Sequence, residues 1–476
     1  MENNKPRIYF RADGNATMGL GHVIRSLALA EMSNDIFECQ FIIRNPLEAL
    51  EMEILKVCES IIKLPDTTDD LAEATTLASQ FQVGDVIVLD GYHFKKSYQQ
   101  VFKNRGLKVV CIDDIYQSHF VADAIINHAG GIKKWDYSFE KYTKLFLGVE
   151  YALVRKPFRI AAKNKAKKNN NLFICLGGAD PENHTLEVLQ KVEQAGEANT
   201  CYLVLGAAYL HQVALSKFLE NTTLEVEVLN NLSAEEMVFY MNKCARAITP
   251  PSTVAYEYLS TGGTLFLKVI ADNQININRY FLEAKLALNF EENFGKYDEK
   301  AIENFLKQQP NLFDGNQKKR FRNIFYRLTT TARLAKSIDC KMYFDWANDP
   351  ITRQQSFNSE PIIYENHELW FNNRLKDEQS ILYVIEFNRQ PIGQVRFQLN
   401  QKEAVISYSL DKEYRGKGLG IWILKNGITA FRKNYSEYRI VGFVKFNNIA
   451  SAKIFRTLEF KEFVATELEN AYKYIY

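Results

Sequence analysis

The chain lacks the marks of several protein classes. Its seven cysteines (39, 58, 111, 175, 201, 244 and 340) are dispersed, odd in number and without a Cys-x-x-Cys pair, which argues against a disulfide framework and a structural zinc site. That usage points to a reducing cytoplasm. Charge of one sign is also missing: 59 Lys and Arg face 57 Asp and Glu, net +2, so no global field draws the protein to nucleic acid or to an anionic membrane. Any anionic ligand must be held locally. No run approaches the ~18 uninterrupted apolar residues of a membrane span, and the polar residues 1–7 pass straight into a strand-like run, which reads as no signal peptide. No Asp-x-Asp cluster suggests a metal. What is present is apolar material: 46% of 476 residues, enough for several cores and about three domains.

Strand-like runs at 8–10, 39–43, 86–89, 109–112 and 124–126 alternate with helical segments such as 49–58, which predicts a parallel sheet with helices on both faces. The stretch 11–25, RADGNATMGLGHVIR, joins the first strand to a helix. Gly19 and Gly21 have no Cβ, so a phosphate or sugar can approach the backbone, and the helix start offers unpaired N–H groups. His22 stands at that start, where a histidine can exchange a proton near neutral pH and the helix dipole favours its neutral, basic form. Asp90-Gly91-Tyr92-His93 and Asp113-Asp114 follow two further strands. They are expected at the carboxyl edge of the sheet, sharing a crevice with His22.

Residues 155–171, with Lys163, Lys165, Lys167, Lys168 and three consecutive asparagines, read as an exposed inter-domain linker. The sheet pattern then restarts: 172–176 ends in Gly177-Gly178-Ala179-Asp180-Pro181, and 200–205 ends in Gly206. In 245–263, ARAITPPSTVAYEYLSTGG, a strand stops at two prolines and Ser252-Thr253 can cap a helix that ends at Gly262. A helix start aimed at the crevice suits a diphosphate, and Glu257, about one turn in, suits ribose hydroxyls. Domains are expected at 1–160, 170–335 and 337–476.

Seven motifs fall in one order: Gly-Leu-Gly-His-Val-Ile-Arg (19–25), Leu-Asp-Gly-Tyr (89–92), Ile-Asp-Asp (112–114), Leu-Gly-Val-Glu-Tyr-Ala-Leu-Val-Arg (147–155), Gly-Gly-Ala-Asp-Pro-Glu-Asn (177–183), Pro-Ser-Thr-Val-Ala-Tyr-Glu (251–257) and Ala-Asp-Asn-Gln (271–274). In this order and spacing the stretch 5–320 resembles the UDP-2,4-diacetamido-2,4,6-trideoxy-β-L-altropyranose hydrolases of pseudaminic acid synthesis. The resemblance implies two Rossmann-like domains in the glycosyltransferase-B arrangement, with the sugar on the first and UDP on the second. It implies His22 as the catalytic base, Gly19, Gly21, Arg25, Tyr92 and Asn273 around the sugar, and Ser252, Thr253 and Glu257 around UDP. A glycosyltransferase of the same plan, with a Gly-x-Gly-Gly-His loop and a degenerate or sensory third domain, is the alternative.

After 337, Asp345-Trp346-Ala347-Asn348-Asp349-Pro350 leads strand-like runs at 381–387, 393–399 and 404–410, then Arg415-Gly416-Lys417-Gly418-Leu419-Gly420 and a helix through Phe431. Arg-x-x-Gly-x-Gly before a helix lets backbone N–H groups wrap a pyrophosphate. With Asn448-Ile-Ala-Ser451 the region resembles the Gcn5-related N-acetyltransferases, an α/β fold, including the branch acting on amino groups of nucleotide sugars. That implies acetyl-CoA as co-substrate, held by Arg415, Gly416, Gly418, Gly420 and Asn448. Phe455 stands where these enzymes often carry the tyrosine that protonates the thiolate, leaving Tyr472, Tyr474 or water. The expected partner is a UDP-linked amino-sugar, with other sugar-pathway enzymes as associates and no metal, nucleic acid or membrane.

Overall fold

The computed structural model describes residues 5–14, 19–65, 69–178, 180–196, 198–206, 208–296, 302, 307, 309 and 311–476, except the Asn273 side chain. The chain divides into two compact units, Met1–Asn323 and Ile324–Tyr476.

In the first unit, seven parallel strands lie in the order Ser60–Leu64, Glu38–Arg44, Arg7–Ala12, Val86–Asp90, Lys108–Ile112, Ala124–Asn127, Lys144–Leu147. Val86–Asp90 is buried throughout, the pattern of a strand covered on both faces. The order reverses between Arg7–Ala12 and Val86–Asp90, which opens a crevice outside their carboxyl ends. A second sheet repeats the design with six parallel strands: Val226–Asn230, Cys201–Leu205, Asn169–Ile174, Cys244–Thr249, Thr264–Leu267, Leu288–Asn289. Its reversal lies between Asn169–Ile174, which runs to Gly177-Gly178, and Cys244–Thr249, which runs to the two prolines. Both Rossmann-like sheets belong to the unit Met1–Asn323.

The second unit is a mixed seven-stranded sheet in the order Thr330–Leu334, Ser380–Phe387, Gln390–Asn400, Glu403–Leu410, Arg439–Lys445, Ala471–Ile475, Lys461–Val464. Glu403–Leu410 and Arg439–Lys445 are its parallel neighbours, and they pair only as far as Ile406 and Gly442. Beyond that point the two strands no longer pair with each other, though each stays paired with its other neighbour, so the sheet splays open at its middle.

The described strands overlap each run read from the sequence, with 172–176 ending early at Ile174 and 200–205 starting at Cys201, and add edge strands that the sequence hid. Thr330–Leu334 is half polar and starts the last sheet before residue 337. Edge strands face water on one side and lose the apolar run that marks central ones. The linker also differs in part: Lys156–Lys163 is a helix, and the asparagines open a strand. Residues 163–167 are exposed, yet Lys165 donates to the Ser260 carbonyl at 2.7 Å and Lys168 to that of Cys244 at 3.1 Å. Ammonium groups here satisfy orphan carbonyls near helix ends, so the charge cluster is partly structural.

Candidate functional site

His22 opens the helix Gly21–Glu31, whose start carries no side-chain cap. Gly19 takes φ +80°, a value that favours glycine, and a Cβ on Gly19 or Gly21 would meet nothing within 4 Å, so the loop is open to a ligand. Residues 15–18 of the loop lie outside the described residues. His22 Nδ1 stands 2.7 Å from Asp90 Oδ1, and Asp90 is fully buried. Arg25, one turn further along the same helix, holds Asp90 through Nε at 2.7 Å and Nη2 at 2.5 Å, and Asp114 through Nη1 at 2.8 Å. Ser26 adds a fourth donor to Asp90.

This geometry sets the proton positions. Burial alone would raise the Asp90 carboxyl, but the charge and hydrogen bonds of Arg25 outweigh it and keep the carboxyl below its ordinary value. An ionised Asp90 only accepts, so the His22 hydrogen bond places a hydrogen on Nδ1, and in the neutral ring the lone pair is then on Nε2. Arg25 Nη2 and Nδ1, 3.0 Å apart, are then two donors drawn to one acceptor. No described residue hydrogen-bonds Nε2. The Tyr92 ring meets His22 edge-on at 5.0 Å and is 40% exposed, so it borders the crevice; burial, then the Asp114 charge, pushes its hydroxyl up to about 12.

Behind this cluster lies His128, which sequence reasoning passed over because it sits in an apolar stretch with no motif. It is buried, and burial followed by the Arg25 charge pushes it down to about 4, so it is neutral and adds no charge beside Arg25. Its ring packs on Tyr256, whose hydroxyl donates to the His128 carbonyl at 3.1 Å. Arg25, His128 and Thr253 line one small cleft, which brings a residue expected at the sugar beside one expected at UDP. A second ionic cluster, Arg11–Asp13–Glu73–Arg44, anchors the start of the glycine loop, and His93 lies 3.8 Å from its Asp13.

On the second sheet the helix Thr253–Thr261 follows Ser252 and ends at Gly262 with φ +79°. Ser252 occupies the cap position, yet its side chain makes no cap hydrogen bond; the Ala255 N–H donates to the Ser252 carbonyl at 2.9 Å, which leaves the Thr253 and Val254 N–H groups and the Ser252 hydroxyl available. Gly177 and Gly178 are open to 4 Å where a Cβ would stand. Glu257 is buried and both its oxygens accept from Arg155, at 2.7 and 2.8 Å. The pair was not legible because 102 residues separate its members. Arg155→Leu is expected to destabilise the first unit by up to about 3 kcal/mol, the low end for breaking a buried pair since Arg155 keeps 28% of its side-chain surface exposed. A urea midpoint unchanged from wild type contradicts this. Asn273 falls in the turn Asp272–Gln274, and its side chain lies outside the described residues.

In the second unit Arg415, Gly416, Gly418, Gly420 and Asn448 line one cavity of about 840 Å³, as do Ile406 and Phe443 at the splay. Gly416 and Gly418 take φ +74° and +81° with open space where a Cβ would stand, and the helix Gly420–Arg432 starts without a side-chain cap. Such a loop can wrap a pyrophosphate. Arg415 pairs with Asp349 at 2.7 Å, and Asn448 caps the helix Ile449–Thr457 through the Ser451 N–H at 3.1 Å. Tyr474 is buried with its hydroxyl on Glu462, and neither it nor Tyr472 borders the cavity. Tyr408 and Ser451 do, with their hydroxyls 2.9 Å apart.

Two Rossmann-like sheets, with a buried Asp–Arg pair behind a histidine, and a splayed mixed sheet with a glycine loop thus make up the two units. Comparisons agree. Residues 330–461 match the acetyltransferase (GNAT) domain family. The chain is 24% identical over 257 residues to the UDP-2,4-diacetamido-2,4,6-trideoxy-β-L-altropyranose hydrolase of Campylobacter jejuni, covering 53% of this chain and 88% of that one. It is 22% identical to a spore coat polysaccharide biosynthesis protein of Bacillus subtilis, covering 58% of this chain and 81% of that one. An uncharacterised protein of Methanocaldococcus jannaschii is 22% identical over 492 residues, 96% of this chain and 97% of its own. The chain therefore joins a stretch similar to a nucleotide-sugar hydrolase to a GNAT domain. Among the described residues no helix is long and apolar enough to cross a membrane.

Proposed function

We propose that the chain carries two consecutive steps on one nucleotide sugar, as in pseudaminic acid biosynthesis. The GNAT domain acetylates the amino group of a UDP-linked 4-amino-sugar, and the first unit hydrolyses UDP-2,4-diacetamido-2,4,6-trideoxy-β-L-altropyranose by attack of water at the anomeric carbon. The observation that carries the hydrolytic step is the His22–Asp90 pair, with Arg25 behind it. His22 Nε2 takes the proton of the attacking water; Asp90 fixes the ring and stabilises the imidazolium that forms.

UDP is a good leaving group, so the site needs donors for the departing phosphate more than a strong acid. The uncapped N–H groups after Ser252, the hydroxyls of Ser252 and Thr253, and the open Gly177–Gly178 turn suit that task. Glu257, its oxygens oriented by Arg155, accepts from ribose with lone pairs still free. Tyr92 and Asn273 border the sugar.

In the GNAT domain the glycine loop from Arg415 to Gly420 fits the pyrophosphate of acetyl-CoA, which supplies the activated acetyl group. The Ser451–Tyr408 hydroxyl pair protonates the thiolate in place of the residue at 455. The seven free, buried cysteines suit a reducing cytoplasm. Hydrolysis in ¹⁸O-water should put the label on the sugar. Label on UDP means attack at phosphorus, and label on neither means that a sugar acceptor replaces water, as in a glycosyltransferase.

A further inference from the structure

Three arginines and no aspartate or glutamate line the acetyltransferase cavity. Two of the three are committed to the fold. Arg415 is held by Asp349 and Thr352, and Arg353 donates to the carbonyls of Ala347, Asn358 and Glu360 and to the Ser356 hydroxyl. Arg396 is different. Its Nε donates to Ser407 and its guanidinium lies 5.2 Å over the Trp370 ring, while its Nη1 and Nη2 edge meets no carboxylate among the described residues.

Arg396 is exposed, and it borders the cavity without a carboxylate partner among the described residues. Desolvation by the surrounding walls, with the like charges of Arg374 and Arg353, lowers its pKa against the opposing pull of Tyr343. An arriving anion therefore meets an open positive charge that no acidic side chain offsets. Its place is informative. Arg396 faces Ser407 across the sheet, one residue past the last pair of the splay, and Gly393 faces Leu410, where the chain turns into the pyrophosphate loop. Three residues of strand, about 10 Å, separate the two positive ends. A cavity with one anion site for the acyl donor thus carries a second, three residues nearer the point where the strands part.

Resting on the reading of this domain as an acetyltransferase for nucleotide-linked amines, we propose that Arg396 binds the diphosphate of the acetyl acceptor through its Nη1 and Nη2 edge, so that the domain selects amines carried on an anion. The planar fork matches a phosphate in two hydrogen bonds. A polyamine finds no carboxylate in the lining to offset its further ammonium groups, and Arg396 repels them.

The test measures acetyl-CoA-dependent acetylation by the full chain with three acceptors: the UDP-linked 4-amino-sugar, glucosamine 6-phosphate and spermidine. Phosphorylated amines should be acetylated and spermidine should not. Arg396→Gln should raise KM for the phosphorylated acceptor about tenfold or more, the scale of losing hydrogen bonds to a charged group. Its kcat and its KM for acetyl-CoA should stay near wild type, and Arg396→Lys should recover part of the loss. Spermidine as the best acceptor, an unchanged acceptor KM in Arg396→Gln, or an equal loss toward acetyl-CoA overturns the proposal. If the UDP-amine is inert while glucosamine 6-phosphate depends on Arg396, the nucleotide-sugar reading falls and the anion site stands.

Discussion

His22→Ala or His22→Asn is expected to lose about a hundredfold to ten-thousandfold of the hydrolysis rate while UDP still binds, because a general base acts in the transition state and not on the leaving group's ground-state contacts. Asp90→Asn should fall in the same range for a separate reason. An amide of the same shape no longer demands a hydrogen on His22 Nδ1, so Nε2 loses its reserved role as acceptor. The variant also leaves Arg25 with Asp114 as its one remaining carboxylate. Product release followed by chromatographic separation of UDP from the UDP-sugar, with UDP affinity by calorimetry, separates rate from binding. A near wild-type rate in either His22 variant removes it from the chemistry.

The second large effect concerns the order of the steps. Gly418 has φ +81°, a conformation that aspartate tolerates better than most residues, so Gly418→Asp mainly places a negative charge where a pyrophosphate is to lie. It should abolish acetylation, and with the UDP-linked 4-amino-sugar as substrate the amine should remain unconsumed. His22→Ala given the same amine and acetyl-CoA should instead accumulate the acetylated nucleotide sugar. The order follows from charge: the free amine is a cation at neutral pH, and burying it in a pocket shaped for a neutral acetamido group costs more than the pocket returns. Mass spectra of the two reactions show which intermediate builds up; UDP release by Gly418→Asp at the wild-type rate separates the two activities.

Much of this arrangement is legible in the residues. Polar groups after central strands reach a sheet's carboxyl edge whatever the details, so Asp90 and Asp114 fall into the crevice with His22. Arg25 stands one turn from His22 by helix periodicity alone. What sequence hides are long-range partners: nothing local ties Arg155 to Glu257, nor His128 to Tyr256. Ser252 shows the limit of motif reading, since a cap residue by position withholds its side chain. The hydroxyl pair at Tyr408 and Ser451 escaped notice because one member lies mid-strand, where alternation explains a tyrosine without chemistry.

The central claim, that one chain acetylates a nucleotide sugar and then releases its UDP, meets its most direct test in a single pair of reactions. Wild-type protein is given the UDP-linked 4-amino-sugar with and without acetyl-CoA, and UDP is measured over time. The account predicts UDP and free diacetamido-sugar with acetyl-CoA, after a lag as the acetylated intermediate forms, and little UDP without it. Equal UDP release in both reactions contradicts it.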